Sequence, residues 1–330
     1  MQADKILNKL TGITVSDKAI LINNIIKYGH KEKEYEEVKK LGEKLYSIML
    51  ENGLNAPAKI DKEKLLEKAD TYLCGERVKD ARELLLVLDS QEDWLFSKDK
   101  TPIYYFNNDI EAARFAALNP GKNFIWKPSI KNDIVRMLAT AELELKDYKA
   151  AEKTIEFYKY INPTSFSLKI LESKLYKDKT PLKFEQTLKD AFSYAFSQDQ
   201  YAILYKELAY YYEQKGETDS VHALLTIAVH YTQNIEVQKN YRKFTLNCEK
   251  AGIKLKELSQ QETLEKISTL GYPLVITDEM FKAVCEGYEE YLKNDPQIEG
   301  KDFYHDILRS ITHSDDLAYE IEDGVKENKE

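Results

Sequence analysis

Glycine and proline are scarce, at 12 and 8 in 330 residues. Tight turns draw on both, so their shortage argues against many short strands and favours long helices. Cysteine is scarcer still, at three. Cys74, Cys248 and Cys285 are odd in number, far apart and never form Cys-x-x-Cys. That argues against a disulfide framework or a cysteine zinc site and fits a reducing compartment. No run approaches the roughly 18 apolar residues of a membrane helix. The opening MQADKILNKLTG has neither the basic start nor the apolar stretch of a signal peptide. The expected location is therefore the cytoplasm, without membrane contact. Positive charge is also short: 48 Lys and Arg against 57 Asp and Glu give −9. A phosphate-binding face wants clustered cations, so nucleic acid is not an expected partner.

Signatures of catalysis are missing too. There is no Gly-rich phosphate loop, no Gly-x-Ser-x-Gly and no His-Glu-x-x-His. His222 and His230 stand eight apart near one helical face, with no carboxylate at a fitting step. Packing or solvent explains them better than a metal. Cys74 beside Gly75 reads as an inert thiol. No metal, cofactor or catalytic residue is expected.

What the chain does have is helical patterning and tyrosine, 23 of them. Ser16 caps a stretch with Ala19, Ile22 and Ile26 on one face and Gly29 as its stop. Val38, Leu41, Leu45 and Met49 form the next stripe, ended by Gly53. DKEKLLEKADTYL and VKDARELLLVLD are two short helices joined by CGER. Residues 90–107 read as a longer loop. NDIEAARFAAL is a helix capped by Asn107 or Asn108, and KNFIWKPS is irregular because Pro128 removes a donor. From residue 130 the spacing predicts helices over 131–145, 148–160, 165–177, 181–197, 201–214, 218–232 and 235–251. Two more follow near 278–293 and 301–312. YPLVIT (272–277) is the best strand candidate, and the charged tail EIEDGVKENKE is expected to fray.

Residues 132–163 pair Leu138 with Ala139 in one helix, turn at Asp147–Tyr148, place Ala151 and Ile155 in the next, and close on Pro163. This resembles the tetratricopeptide repeat, with Lys146 in place of its turn glycine and Glu142 in place of its aromatic. A second copy has Leu208–Ala209, Tyr212, Gly216, Leu225 and Ala228, with Val221 for the small alanine and Gln233 for the proline. Between them, 165–198 fits more loosely, with stripes of Leu168, Leu171 and Leu175, then Phe184, Leu188 and Ala191. The three units recur at 33 and 37 residues. Residues 62–89 are a weaker copy, with Leu65, Ala69, Tyr72, Ala81 and Leu85.

The resemblance implies an all-α fold of antiparallel helix pairs stacked as a right-handed α-solenoid, because one helix pair cannot bury its stripe alone. The expected segments are an N-terminal helical part (1–60), a degenerate pair with loop and connecting helix (61–130), the core repeats (131–234) and a C-terminal helical part (235–330). The resemblance also assigns faces. Adjacent rings on a helix point about 100° apart, so Tyr210, Tyr211 and Tyr212 cannot share one core. Tyr212 is expected inside, and Tyr211 against a neighbour or solvent. Tyr210 and Lys206 fall on the concave groove, with Arg136 and Thr140 from the first copy and Lys169 and Ser173 from the middle one. The opposing expectation is that these cations are ordinary solvated side chains.

Such a groove suits a protein or peptide ligand, and its cations would suit one with an acidic group. The leading expectation is thus a non-enzymatic binding scaffold. One alternative is a peptide-sensing regulator, similar in architecture to bacterial ones that place a helical module before such repeats. Residues 1–60 show no basic recognition helix, so its output would pass through a partner protein. The other is a metal-dependent phosphohydrolase in the C-terminal part, suggested only by His305–Asp306 and lacking the upstream His and downstream Asp such enzymes need.

Overall fold

The computed structural model describes residues 62–89, 101–127, 129–293 and 298–327. The helices expected before Gly53 and most of the 90–107 loop lie outside them. The described residues are predominantly helical: fourteen α-helices, one 3₁₀ turn and two strands of two residues each. They fall into two compact units, one holding 62–89 and 129–154, the other 101–127 and 155 onwards.

The first unit contains α1 (Lys62–Cys74), α2 (Val78–Asp89), α4 (Lys131–Glu144) and the start of α5 (Tyr148–Ile161). Helix α2 packs on both α1 and α4. Ala69, Leu85, Met137 and Leu138 close the core between them. Some polar groups are matched inside it, while Arg82 Nε and Asn132 Oδ1 are buried without a partner among the described residues. Lys131, 3% exposed, donates 2.9 Å to Asp89. Glu142, the departure from an aromatic, is buried and accepts from Thr154 at 2.6 Å, with Arg82 3.7 Å away.

The second unit begins with a parallel ladder of β1 (Ile103–Tyr104) on β2 (Ile125–Trp126), enclosing α3 (Asp109–Leu118) in sequence. Tyr104, Phe106, Phe115 and Phe124 cluster around it at centroid distances of 4.4 to 6.0 Å. Asn108 caps α3 by accepting from the Glu111 amide. Then come α6 (Phe166–Lys174), α7 (Pro181–Ala191), a 3₁₀ turn (Phe192–Tyr194), α8 (Gln198–Gln214) and α9 (Thr218–Tyr231). Helix α6 pairs with α7, and α8 with α9. Next are α10 (Ile235–Lys250), α11 (Gln260–Thr269), α12 (Asp278–Lys293), α13 (Ile298–Thr312) and α14 (Asp315–Glu327). Ser197, Asn234 and Ser259 each accept from amides in the first turn of the helix they precede. The Ser259–Glu262 pair is a reciprocal capping box. Helix α12 lies on α3 so closely that a Cβ on Gly287 would come 2.9 Å from the Ile110 nitrogen.

One local geometry recurs. Glu76, Lys146 and Gly216, spaced 70 residues apart, are all left-handed, with φ of 61°, 57° and 73°. After each, the next amide (Arg77, Asp147, Glu217) bonds back to Tyr72, Glu142 or Tyr212 at 2.8 to 3.0 Å. This is the bonding of a left-handed helix stop. Small residues recur in step: Ala69, Ala139 and Ala209 before the turn, and Ala81, Ala151 and Val221 after it, none more than 2% exposed. Lys146 therefore shares the left-handed backbone conformation of Gly216.

Three expectations are corrected. YPLVIT is not a strand. Pro273 lacks a donor, and the segment is tied down instead by side chains, Tyr205 donating to the Pro273 carbonyl and Tyr201 to that of Val275 at 2.6 and 2.7 Å. The strands lie in regions read as irregular, around Ile103 and Ile125. The tail is helical to Glu327, anchored by the fully buried Ala318.

Candidate functional site

The residues assigned to a concave groove divide between the units. Arg136 and Thr140 belong to the first. Arg136 is paired with Asp133 at 2.9 Å on a half-exposed surface, and the Thr140 hydroxyl donates to the Arg136 carbonyl. Lys169, Ser173, Lys206 and Tyr210 belong to the second. Lys169 donates to Glu172 at 2.7 Å and lies over the Tyr194 ring. Ser173 is fully buried and donates to the Ile170 carbonyl, so it presents nothing to a ligand.

Lys206 and Tyr210 sit in a denser arrangement than the sequence suggested. Glu207, 2% exposed, takes Lys206 on one carboxylate oxygen at 2.9 Å and Lys177 on the other at 2.8 Å. Lys174 adds a third positive charge nearby. Burial pushes the Glu207 carboxyl upward, but Lys206, Lys177 and Lys174 more than reverse this and hold it at about 2. Glu207 is therefore ionised at neutral pH. The Lys177 ammonium lies 4.1 Å from the centre of the Tyr210 ring, a cation–π distance. The Tyr210 hydroxyl donates 3.0 Å to the exposed Asp178. Lys206 and Lys177 thus converge on one buried carboxylate, in a chain whose net charge is −9. Lys206 and Lys177 keep 21% and 28% of their side-chain surface, so part of each faces solvent.

The adjacent rings have other tasks. Tyr211 and Tyr212 are both buried and meet edge to face at 5.1 Å. The Tyr212 hydroxyl lies 3.1 Å from that of Tyr272, which donates to Glu185 of α7. Burial and the Glu185 carboxylate push the Tyr211 phenol upward. Tyr211 thus packs toward α7, the neighbour option of the two expected for it.

Sequence reasoning missed Lys177 and Glu207. Lys177 follows the end of α6, where cations offset the helix dipole anyway and draw no notice. Glu207 left a clearer signal. Aligning Leu138–Ala139 with Leu208–Ala209 sets Glu207 against Met137, an apolar core position 70 residues earlier. A carboxylate in a core register needs a partner, and the lysines supply it.

The histidines are occupied separately. His222 stacks near Tyr241 and Phe244, at 6.3 and 6.2 Å, and burial lowers its pKa. His305 lies 2.7 Å from Glu322 of α14, while Asp306 pairs with Arg309. Among the described residues, no group of three or more His, Cys, Asp or Glu is placed to hold a metal ion. No described helix is long and apolar enough to cross a membrane. No family model, no curated protein and no solved structure matches the chain.

Proposed function

We propose that this chain is a non-enzymatic protein- or peptide-binding scaffold, built from helix pairs of tetratricopeptide type stacked as a right-handed α-solenoid. The recurrence of the left-handed turn with its small flanking residues supports the repeat reading. The observation that carries the binding reading is the lysine cluster held by Glu207. A buried carboxylate fixes the two ammonium groups it accepts from, and its single charge is shared between them. Each of those two ammonium groups uses one bond on Glu207 and keeps further donors for an acidic group on a peptide. Tyr210 adds a ring beside them, at low cost in side-chain freedom.

The test is capture from native extract with the intact protein beside a Lys206→Gln, Tyr210→Ala double variant, read by mass spectrometry. The proposal expects at least one protein or peptide retained by the parent and lost from the variant, and its binding weakened by added salt. An identical set of captured molecules would refute it.

A further inference from the structure

A second cavity lies in the same unit, away from the lysine cluster. It is a cleft of about 1000 Å³ between the end of α9, the start of α11 and the segment Tyr272–Thr277. Its size is at the upper end of the range for small-molecule sites. Thirteen residues line it, and none is Asp, Glu, Lys or Arg, although 32% of the chain is charged. Ile227, Leu264 and Leu274 supply apolar wall, and Val275, 70% exposed, forms the lip. Apart from His230 and His313 the lining has no side chain that could carry a charge opposite to a ligand's near neutral pH, so a charged ligand would lose hydration there for little return.

Two hydroxyls in the cleft have no protein partner among the described residues. Thr226 Oγ1 is buried in the wall unbonded. The Tyr231 hydroxyl finds no acceptor, and burial pushes the phenol upward, so it stays a proton donor at neutral pH. A separate polar recess of about 530 Å³ shares His230 and Tyr231 with the cleft. The Asp199 carboxylate there is already taken by the Thr232 hydroxyl.

We propose that this cleft binds an uncharged, mainly apolar small molecule with one hydrogen-bond acceptor, the acceptor meeting Tyr231. The probe is prodan, a neutral fluorophore whose ketone is the acceptor, compared with diphenylhexatriene, which has none. With the full chain, prodan should give a saturable blue shift at one site. Val275→Asp, a change at an exposed lip, should weaken both probes about ten-fold by placing a charge in the cleft. Tyr231→Phe should weaken prodan about five-fold and leave diphenylhexatriene unchanged. Circular dichroism establishes that each variant is folded. If Val275→Asp does not fold, the Tyr231→Phe comparison decides alone. Absence of saturable prodan binding by the parent overturns the proposal. So does undiminished binding by folded Val275→Asp, or an equal loss of both probes in Tyr231→Phe.

Discussion

Glu207 shows how one side chain can be invisible at first reading and central in the structure. Next to Lys206 it looks like one more charge on a wetted helix, and only its register against Met137 marks it as interior. Tyr212 is legible as core because helical spacing alone puts it on the stripe of Leu208 and Tyr205. Ser173 was misplaced because residues 165–198 fit the expected pattern loosely, and a small polar residue gives no sign of its own burial. The pH behaviour of Glu207 follows from its carboxyl lying at about 2 when folded, below the ordinary 4.5. A depressed carboxyl stabilises the fold above 4.5 and loses that contribution as pH falls from 4.5 toward 2. Denaturant unfolding of the parent should therefore show stability declining across that window. Glu207→Gln should cost about 2 kcal/mol at pH 7, less than a sealed ion pair would, because its lysines can turn to solvent. It should also flatten the decline. A variant as acid-sensitive as the parent would show that the charge of Glu207 is not its source.

Helices are the most legible elements, since caps and periodicity are local. The ends of α4, α9 and α10 come within a residue or two of the spacing that predicts them. Helix α14 was missed because a run of charges surrounds its one fully buried residue, Ala318. Glu322 in that run looks like any other acidic side chain until α13 brings His305 against it. The strands were missed because two residues carry no alternation to read. Turns are where sequence and structure can be tested directly. Lys146 holds φ 57°, a conformation costly for a side chain with a Cβ, 70 residues before Gly216 in the matching turn. Lys146→Gly should raise stability by about 0.5 to 1 kcal/mol, and Gly216→Ala should lower it by about 1. Thermal melts of both check this, and a destabilised Lys146→Gly would mean that the lysine side chain contributes more than its backbone costs. The α3–α12 contact gives a stronger effect. Gly287→Ala must push apart two backbones already at the limit, at about 1 to 3 kcal/mol.

Two large apolar clusters of the second unit are linked by one segment. One centres on Tyr205, Leu208 and Leu224, the other on Tyr288, Tyr304 and Ile110. The segment Tyr272–Thr277 runs from one to the other: Tyr272 belongs to the first, and Ile276 packs on the second. It makes no ladder bonds of its own; the Tyr201 and Tyr205 hydroxyls hold its carbonyls at Val275 and Pro273, and the Tyr272 hydroxyl meets Tyr212 and Glu185. No sequence pattern announces such a link, because the donors lie some 70 residues before the carbonyls they meet. If the segment couples the clusters, they should unfold together. Tyr201→Phe with Tyr205→Phe removes only the two donors and leaves the rings in place. Each lost bond strands a carbonyl, at about 1 kcal/mol. Hydrogen exchange should then quicken in α12 and α13 as well as in α8 and α9, by a similar free energy, since a cooperative unit opens as a whole. Faster exchange confined to α8 and α9 would show two independently stable halves, with the segment a passive connector between them.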